Sequence, residues 1–286
     1  MKKSAKILLL AVLLLLTGCE KSLVDGENSS SKKTENNVVL QLSVFEQLPF
    51  ETRSTQPVTQ LCNRLNVAFF QDGAKVKTVS QKVGDDSFGT VAVALEAGVY
   101  QLVVIGHNCD GSATITSTEK VTFPSNLVSD TFYYYGDLTV GTTPETYQLT
   151  LTRAVSMFRM ELTNTLPASA AKIRFYYTGG SSTFSPLTGY GCVDSRQTVM
   201  MTLAEGQQVF EVYTLPHAET GVLKMTVSVY DANDQVLKER VFEQVPVTRN
   251  RITKYTGDFF GTDAASAAGL LLSGESDWDG SDDYAF

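Results

Sequence analysis

Little in this chain of 286 residues is the usual raw material of catalysis. It holds two histidines, four cysteines and one tryptophan. His217 has no flanking set of ligands, and a zinc site using both histidines would need two distant parts of the chain to converge, so no metal site is expected. No Gly-x-Ser-x-Gly, no Walker loop and no Rossmann glycine pattern occurs. That leaves the common hydrolase, nucleotide-triphosphatase and dinucleotide-dependent chemistries without their signatures, so neither an enzyme nor a cofactor is expected. Basic clusters are missing too: 23 Lys and Arg are scattered among 31 Asp and Glu, and nucleic-acid binding has no electrostatic footprint. The longest apolar run, Ile7 to Leu16, is short of the roughly 20 residues a membrane-spanning helix needs. Elsewhere apolar residues almost never recur at spacings of three and four, so helix is a minor component.

What is present begins with a positive start at Lys2, Lys3 and Lys6, the apolar run, and the small residues Thr17 and Gly18. Together these read as a secretory signal over residues 1–18. Leu16-Thr17-Gly18-Cys19 resembles a bacterial lipobox. The resemblance implies cleavage between Gly18 and Cys19 and acylation of the Cys19 thiol, by palmitate or a similar chain. Two or more such chains give stable anchoring, at roughly 0.8 kcal/mol per buried methylene. Losing the three lysines takes the formal charge from −8 to −11, a balance that favours solubility of the exported part. Residues 19–36 are polar, with a Ser29-Ser30-Ser31 run, and read as a flexible leash.

From Val38 the texture changes to short β-branched and aromatic runs separated by turns, eight between 38 and 151 and eight between 154 and 259. Such spacing predicts β-sandwiches. The clearest run is Leu95 to His107, where a turn with Gly98 feeds Val99, Tyr100, Leu102, Val103, Val104 and Ile105, a buried strand. Leu203 to His217 repeats its plan, so the two histidines fall in matching places about 110 residues apart (217 − 107). Leu65 to Phe70, ending at Gly73, is echoed by Lys172 to Tyr177, ending at Gly179. A period this long predicts duplicated domains, at 37–152 and 153–261, rather than a solenoid. Residues 262–286 carry six acids and no Lys or Arg, and read as a disordered tail, with Leu270-Leu271-Leu272 and the aromatics Trp278, Tyr284 and Phe286 as the features that could instead dock on a partner or back on the body.

Several residue groups invite a chemical reading. Cys62 and Cys109 flank predicted strands in an oxidising compartment, and bridging them would close a loop of about 47 residues worth roughly 4 kcal/mol. Two separate buried thiols are the alternative. His107-Asn108-Cys109-Asp110 holds a nucleophile beside a base, yet a turn after a strand supplies the same polar residues. Asp277 to Asp283 alternates oxygen ligands as a calcium loop does, but its glycine is misplaced and the chain ends before a twelfth-position Glu. Tyr133-Tyr134-Tyr135 and Tyr176-Tyr177 are the aromatic candidates for stacking on sugar or protein, though alternate rings on a strand face the core.

Beyond these, the chain resembles the fimbrillin-like lipoproteins of Bacteroidetes type V pili, specifically the minor fimbrial subunit or fimbrillin-A-associated anchor family. The likeness rests on Leu16 to Cys19, Leu65 to Gly73, Gly98 to Val104 with His107, Thr131 to Leu138, and Arg153 to Arg159. It implies an all-β fold of two tandem transthyretin-like β-sandwich domains, displayed at the outer membrane and cell surface through acylated Cys19, with other fimbrial subunits as partners. Major subunits of such pili are cut after an arginine beyond their first strand, and a neighbour's strand fills the vacated groove. Arg53, in Glu51-Thr52-Arg53-Ser54, is the candidate cutting site here, although anchor-type relatives keep their first strand. The alternative is a surface lipoprotein that binds glycan or host protein through exposed aromatics.

Overall fold

The computed structural model describes residues 35–47, 53–261, 268–269 and 278–286. The signal, Gly18 and Cys19, most of the leash, and most of the acidic tail lie outside the described residues. In chain order the strands of the first half are β1 (Val38–Gln47), β2 (Arg53–Pro57), β3 (Arg64–Gln71), β4 (Ala74–Lys82), β5 (Thr90–Val93), β6 (Gly98–His107), β7 (Thr114–Ser117), β8 (Lys120–Thr122), β9 (Thr131–Val140) and β10 (Glu145–Arg153). Those of the second are β11 (Ser156–Leu162), β12 (Lys172–Gly180), β13 (Thr183–Ser185), β14 (Tyr190–Gly191), β15 (Ser195–Thr202), β16 (Val209–Thr214), β17 (Thr220–Tyr230), β18 (Val236–Thr248), β19 (Ile252–Gly257), β20 (Ala268–Gly269) and β21 (Ser281–Ala285). One α-helical turn, Val58–Leu61, and one 3₁₀ turn, Pro124–Asn126, are the helices among them. The fold is all-β.

One sandwich topology is built twice. In the first half β4-β3-β6-β9 forms one layer and β5-β1-β10 the other; in the second, β15-β12-β17-β18 faces β16-β11-β19. Each half pairs its first strand in parallel with its last: Val38 with Glu145 through Val44 with Leu151, and Met157 with Ile252 through Leu162 with Gly257. The duplication read from sequence is therefore present in the topology, but one of its supporting echoes is misaligned. β6 corresponds to β17, and β16 corresponds to the short β5, so Leu95 to His107 and Leu203 to His217 are not equivalent segments. His107 ends a central strand of one layer, whereas His217 follows the edge strand of the other. The match between β3 and β12 holds, since each lies between an edge strand and a central one.

Three clusters of buried side chains fill the molecule. Val38, Leu40, Leu42 and Val44 of β1 pack on Leu65, Val67, Phe69, Leu102 and Val104 inside the first sandwich. Phe158, Met160, Ile173, Phe175, Tyr177 and Val227 fill the second sandwich. Between the halves lies another cluster, in which Ala68, Phe70, Val103 and Ile105 meet Val155, Met157, Phe184, Leu215, Ile252 and Trp278. β3 and β6 are thus covered on both faces, which explains why consecutive residues are buried in each.

The junction has its own ladder and its own charge pair. The β7–β8 hairpin of the first half pairs with β13 of the second, Val121 opposite Phe184. Beside it, Arg153 donates a fork to Asp130 at 2.8 and 2.9 Å and a third bond to Asn250 at 3.2 Å. Its guanidinium lies 4.6 Å from the centre of Phe132 and 3.9 Å from that of Trp278. With its side chain 2% exposed, such a pair costs more to break than to keep.

The end of the chain departs from the sequence reading. Residues 278–286, expected to belong to a disordered tail, hold a strand, β21, over Ser281–Ala285, which runs parallel to β19 with Ile252 opposite Ser281 and Thr256 opposite Ala285. Trp278 is 5% exposed. Two of the six acids that suggested disorder are paired: Asp282 with Arg251 at 2.8 Å and Asp283 with Lys254 at 3.4 Å.

Candidate functional site

β1 is the element on which a strand-exchange chemistry would act, and its surroundings can be built from its sequence. Val38, Leu40, Leu42 and Val44 alternate with Val39, Gln41 and Ser43, so one face of the strand is apolar. That face is 0 to 6% exposed. On one side β1 pairs with β10 over Val38 to Val44; on the other it pairs with β5 over Val38 to Gln41 and with β2 over Ser43 to Gln47. It is a central strand with its main chain bonded on both edges. Burying four aliphatic side chains contributes about 6 to 12 kcal/mol at roughly 1.5 to 3 kcal/mol each, the scale of a whole domain's net stability. Removing β1 would expose an apolar slot flanked by the unpaired edges of β10 and β5, which only another extended chain can satisfy.

Arg53 stands differently from its expected place in a loop. Its backbone begins β2, opposite Gln47 of β1. Residues 48–52, which join the two strands, lie outside the described residues.

Cys62 and Cys109 are both free thiols, not a bridge. Cys109 Sγ lies 3.2 Å from both the Leu127 carbonyl and Ser129 Oγ, while Cys62 is packed in the first core. Burial, ahead of any neighbouring charge, pushes the pKa of each thiol up, so neither is a ready nucleophile. His107, fully buried, accepts from the Cys109 N–H through Nδ1 at 3.1 Å and faces Asn66 Oδ1 through Nε2 at 3.1 Å. This network assigns the proton to Nε2. Burial first, and the nearby Arg64 charge second, lower its pKa to about 4, so it is neutral at pH 7 and ties β6 to β3. His217 uses Nδ1 on the Gly191 carbonyl at 3.0 Å and Nε2 on Asp194 at 3.2 Å. The paired nucleophile and base suggested by residues 107–110 thus resolve into a turn. Among the described residues no three His, Cys, Asp or Glu gather as a metal site.

The tyrosines divide between the cores. Tyr134 packs against the first, and Tyr133 and Tyr135 against the cluster between the halves. Tyr133 meets Phe184 edge-on at 4.8 Å, and Tyr135 accepts from Gln101 at 3.2 Å. Tyr177 is fully buried and donates to the Tyr213 carbonyl at 2.7 Å. None of these rings lies wholly open to solvent.

Sequence reasoning named Trp278, Tyr284 and Phe286 as able to dock back on the body but did not find the strand β21 that carries two of them to it. Tyr284 stacks on Tyr255 at 4.9 Å, Phe286 meets Phe242 edge-on at 5.3 Å, and the Phe286 carbonyl occupies the place where a Cβ on Gly257 would project. The one available signal was the aromatic spacing of Trp278, Tyr284 and Phe286 in an otherwise acidic stretch.

With both halves in view, the chain can be set beside known proteins. The profile of a family of unknown function, DUF6562, matches residues 30–283. The chain belongs to this family. No curated protein matches it. Among solved structures it is similar to a candidate adhesin of Bacteroides ovatus, at 16% identity and a TM-score of 0.47 over 80% of this chain and 88% of that one. It is also similar to the fimbrial anchor protein of Porphyromonas gingivalis, at 12% identity and a TM-score of 0.40 over 71% and 80% of the two chains. The C-terminally truncated tip fimbrial protein of the same organism gives 10% identity and a TM-score of 0.39 over 77% and 94%.

Proposed function

We propose that this member of DUF6562 is a fimbrial subunit at the cell surface, anchored in the outer membrane through acylated Cys19, that keeps its own first strand and engages a pilin partner by strand exchange. Support comes first from the lipobox resemblance at Leu16 to Cys19 and the fimbrillin-like motifs between Leu65 and Arg159. The observation that carries the reading is the seat of β1, a central, apolar strand in parallel register with β10. A subunit whose slot is already filled by its own strand does not accept a donor there. That suits an anchor or terminal position, where the polymer begins or ends, better than a position within the fibre. In this scheme 37–152 and 153–261 act as one body, joined by the β8–β13 ladder and the Arg153 fork.

Mass spectrometry of the first peptide from intact envelopes tests this directly. The expected result is a start at acylated Cys19, with Arg53→Ala leaving the mature mass unchanged. A start at Ser54 would sink the anchor reading, because a chain cut there has released β1 and opened the slot that a polymerising subunit needs.

A further inference from the structure

The repeated topology leaves the two halves unequal at one place. In the second half, β21 lies along the edge of β19 that faces away from β11 and packs Phe286 against Phe242 of β18, so it fills the space between β18 and β19. The matching space in the first half lies between β9 and β10. Those strands pair only at Tyr133–Thr152 and Phe132–Arg153, and then part. What separates them is a groove of about 600 Å³.

The groove offers an extended chain both kinds of contact. Glu145 donates its N–H to the Asn37 carbonyl on the β1 side, so in a parallel ladder the main chains of Thr146, Gln148 and Thr150 alternate towards the groove. No strand among the described residues pairs with them. Tyr134 and Leu138 from β9 and Tyr147 and Leu149 from β10 supply apolar walls, with Tyr147 donating across the groove to the Thr139 carbonyl at 2.7 Å. The charged side chains lining it are Asp137 and Glu145. That sign is opposite to the second half, where Lys254 of the receiving strand and Arg251, just before it, meet the acids of β21.

We infer that the β9–β10 groove is a docking site for an extended, basic segment of another protein, which adds to β10 in parallel as β21 adds to β19. The charge reversal excludes β21 of a second copy as the fitting guest, since Asp282 and Asp283 would face Asp137 and Glu145. The site is separate from the β1 slot and is open while β1 stays in place, so it does not depend on the fimbrial reading.

The test uses the purified full chain and two labelled peptides, Ser-Lys-Lys-Tyr-Ala-Phe and its acidic counterpart Ser-Asp-Asp-Tyr-Ala-Phe, followed by fluorescence anisotropy at low salt. The basic peptide is expected to bind at least tenfold more tightly than the acidic one. Asp137→Lys with Glu145→Lys, both surface changes, should invert that order. Thr146→Pro, which removes an outward N–H from β10, should weaken both peptides at least tenfold. Equal binding of the two peptides, no binding of either at millimolar concentration, or a preference that survives the double charge reversal would overturn the proposal. A dimer seen by sedimentation and lost on the same charge reversal would also overturn it, by giving the groove to a second copy.

Discussion

β3 and β12 occupy the same place in the two halves and are buried in opposite fashion. β12 alternates, with Ile173, Phe175 and Tyr177 inward and Arg174 and Tyr176 half-exposed, as expected for a layer with one wet face. β3 has no wet face: six consecutive residues, Leu65 to Phe70, are buried. The difference is not in the topology but in the neighbour. The outer face of β3 and β6 is covered by the junction cluster, so the first half depends on the second for part of its burial, while β12 does not depend on the first.

That asymmetry can be broken where it is greatest. Phe70→Ala, on the outer face of β3, should cost about 3 to 5 kcal/mol by loss of buried area and creation of a cavity. Tyr176→Ala, on the same face of β12, should cost less than about 1 kcal/mol. Equal losses in urea denaturation would refute the one-sided dependence. Removing Arg153 tests the junction itself. Arg153→Ala leaves Asp130 largely buried without its fork, and a loss of about 3 to 5 kcal/mol is expected, with Asp130→Asn in the same background recovering part of it. If the double variant is no more stable than the single, the pair is not what Arg153 contributes.

A smaller effect distinguishes the histidines that the sequence had paired. The folded pKa of His107 lies near 4 against about 6.5 unfolded, so the unfolded chain binds more protons between those values. Its contribution is full above about pH 6.5 and is lost as pH falls towards 4, amounting to about 3 kcal/mol at most. In His107→Gln that part of the acid sensitivity should disappear from the stability curve; in His217→Gln it should remain. The smallest expected change is at the exposed pair of Lys224 and Glu243, whose side chains are 57 and 64% exposed. Lys224→Ala should shift stability by less than about 0.5 kcal/mol.

These contrasts explain what could be read from the chain alone. The buried runs of β3 and β6 announce themselves because both faces are apolar, and the alternation in β1 and β12 gives strands of the right kind. The misaligned echo arose because a glycine turn, a β-branched strand and a polar residue at its end describe almost any hairpin arm, so β6 and β16 look alike without being counterparts. β21 was illegible for a different reason. Ser281 to Ala285 is short and acidic, and it is held as a strand by the β19 ladder together with Lys254 on that strand and Arg251 just before it, contacts that local pattern does not reveal. The Cys62 and Cys109 thiols were placed correctly at strand ends, but nothing in their spacing could fix the direction of their Cβ vectors. The β9–β10 groove likewise had no signal, since it is an absence of pairing between two strands that follow each other closely.

The parallel pairing of first and last strands also sets a timetable. Val38 finds Glu145 only after about a hundred residues have been added, and Met157 finds Ile252 after a similar interval. A chain made N-terminus first can pair one edge of β1 early, with β2 and β5, but the edge that β10 covers stays open until β10 has arrived. Loop closure over such distances is slow, and an exposed strand edge is vulnerable to aggregation for as long as the wait lasts. Each sandwich closes last on the strand that was made first, and the interval before closure is when a chaperone would have its opportunity.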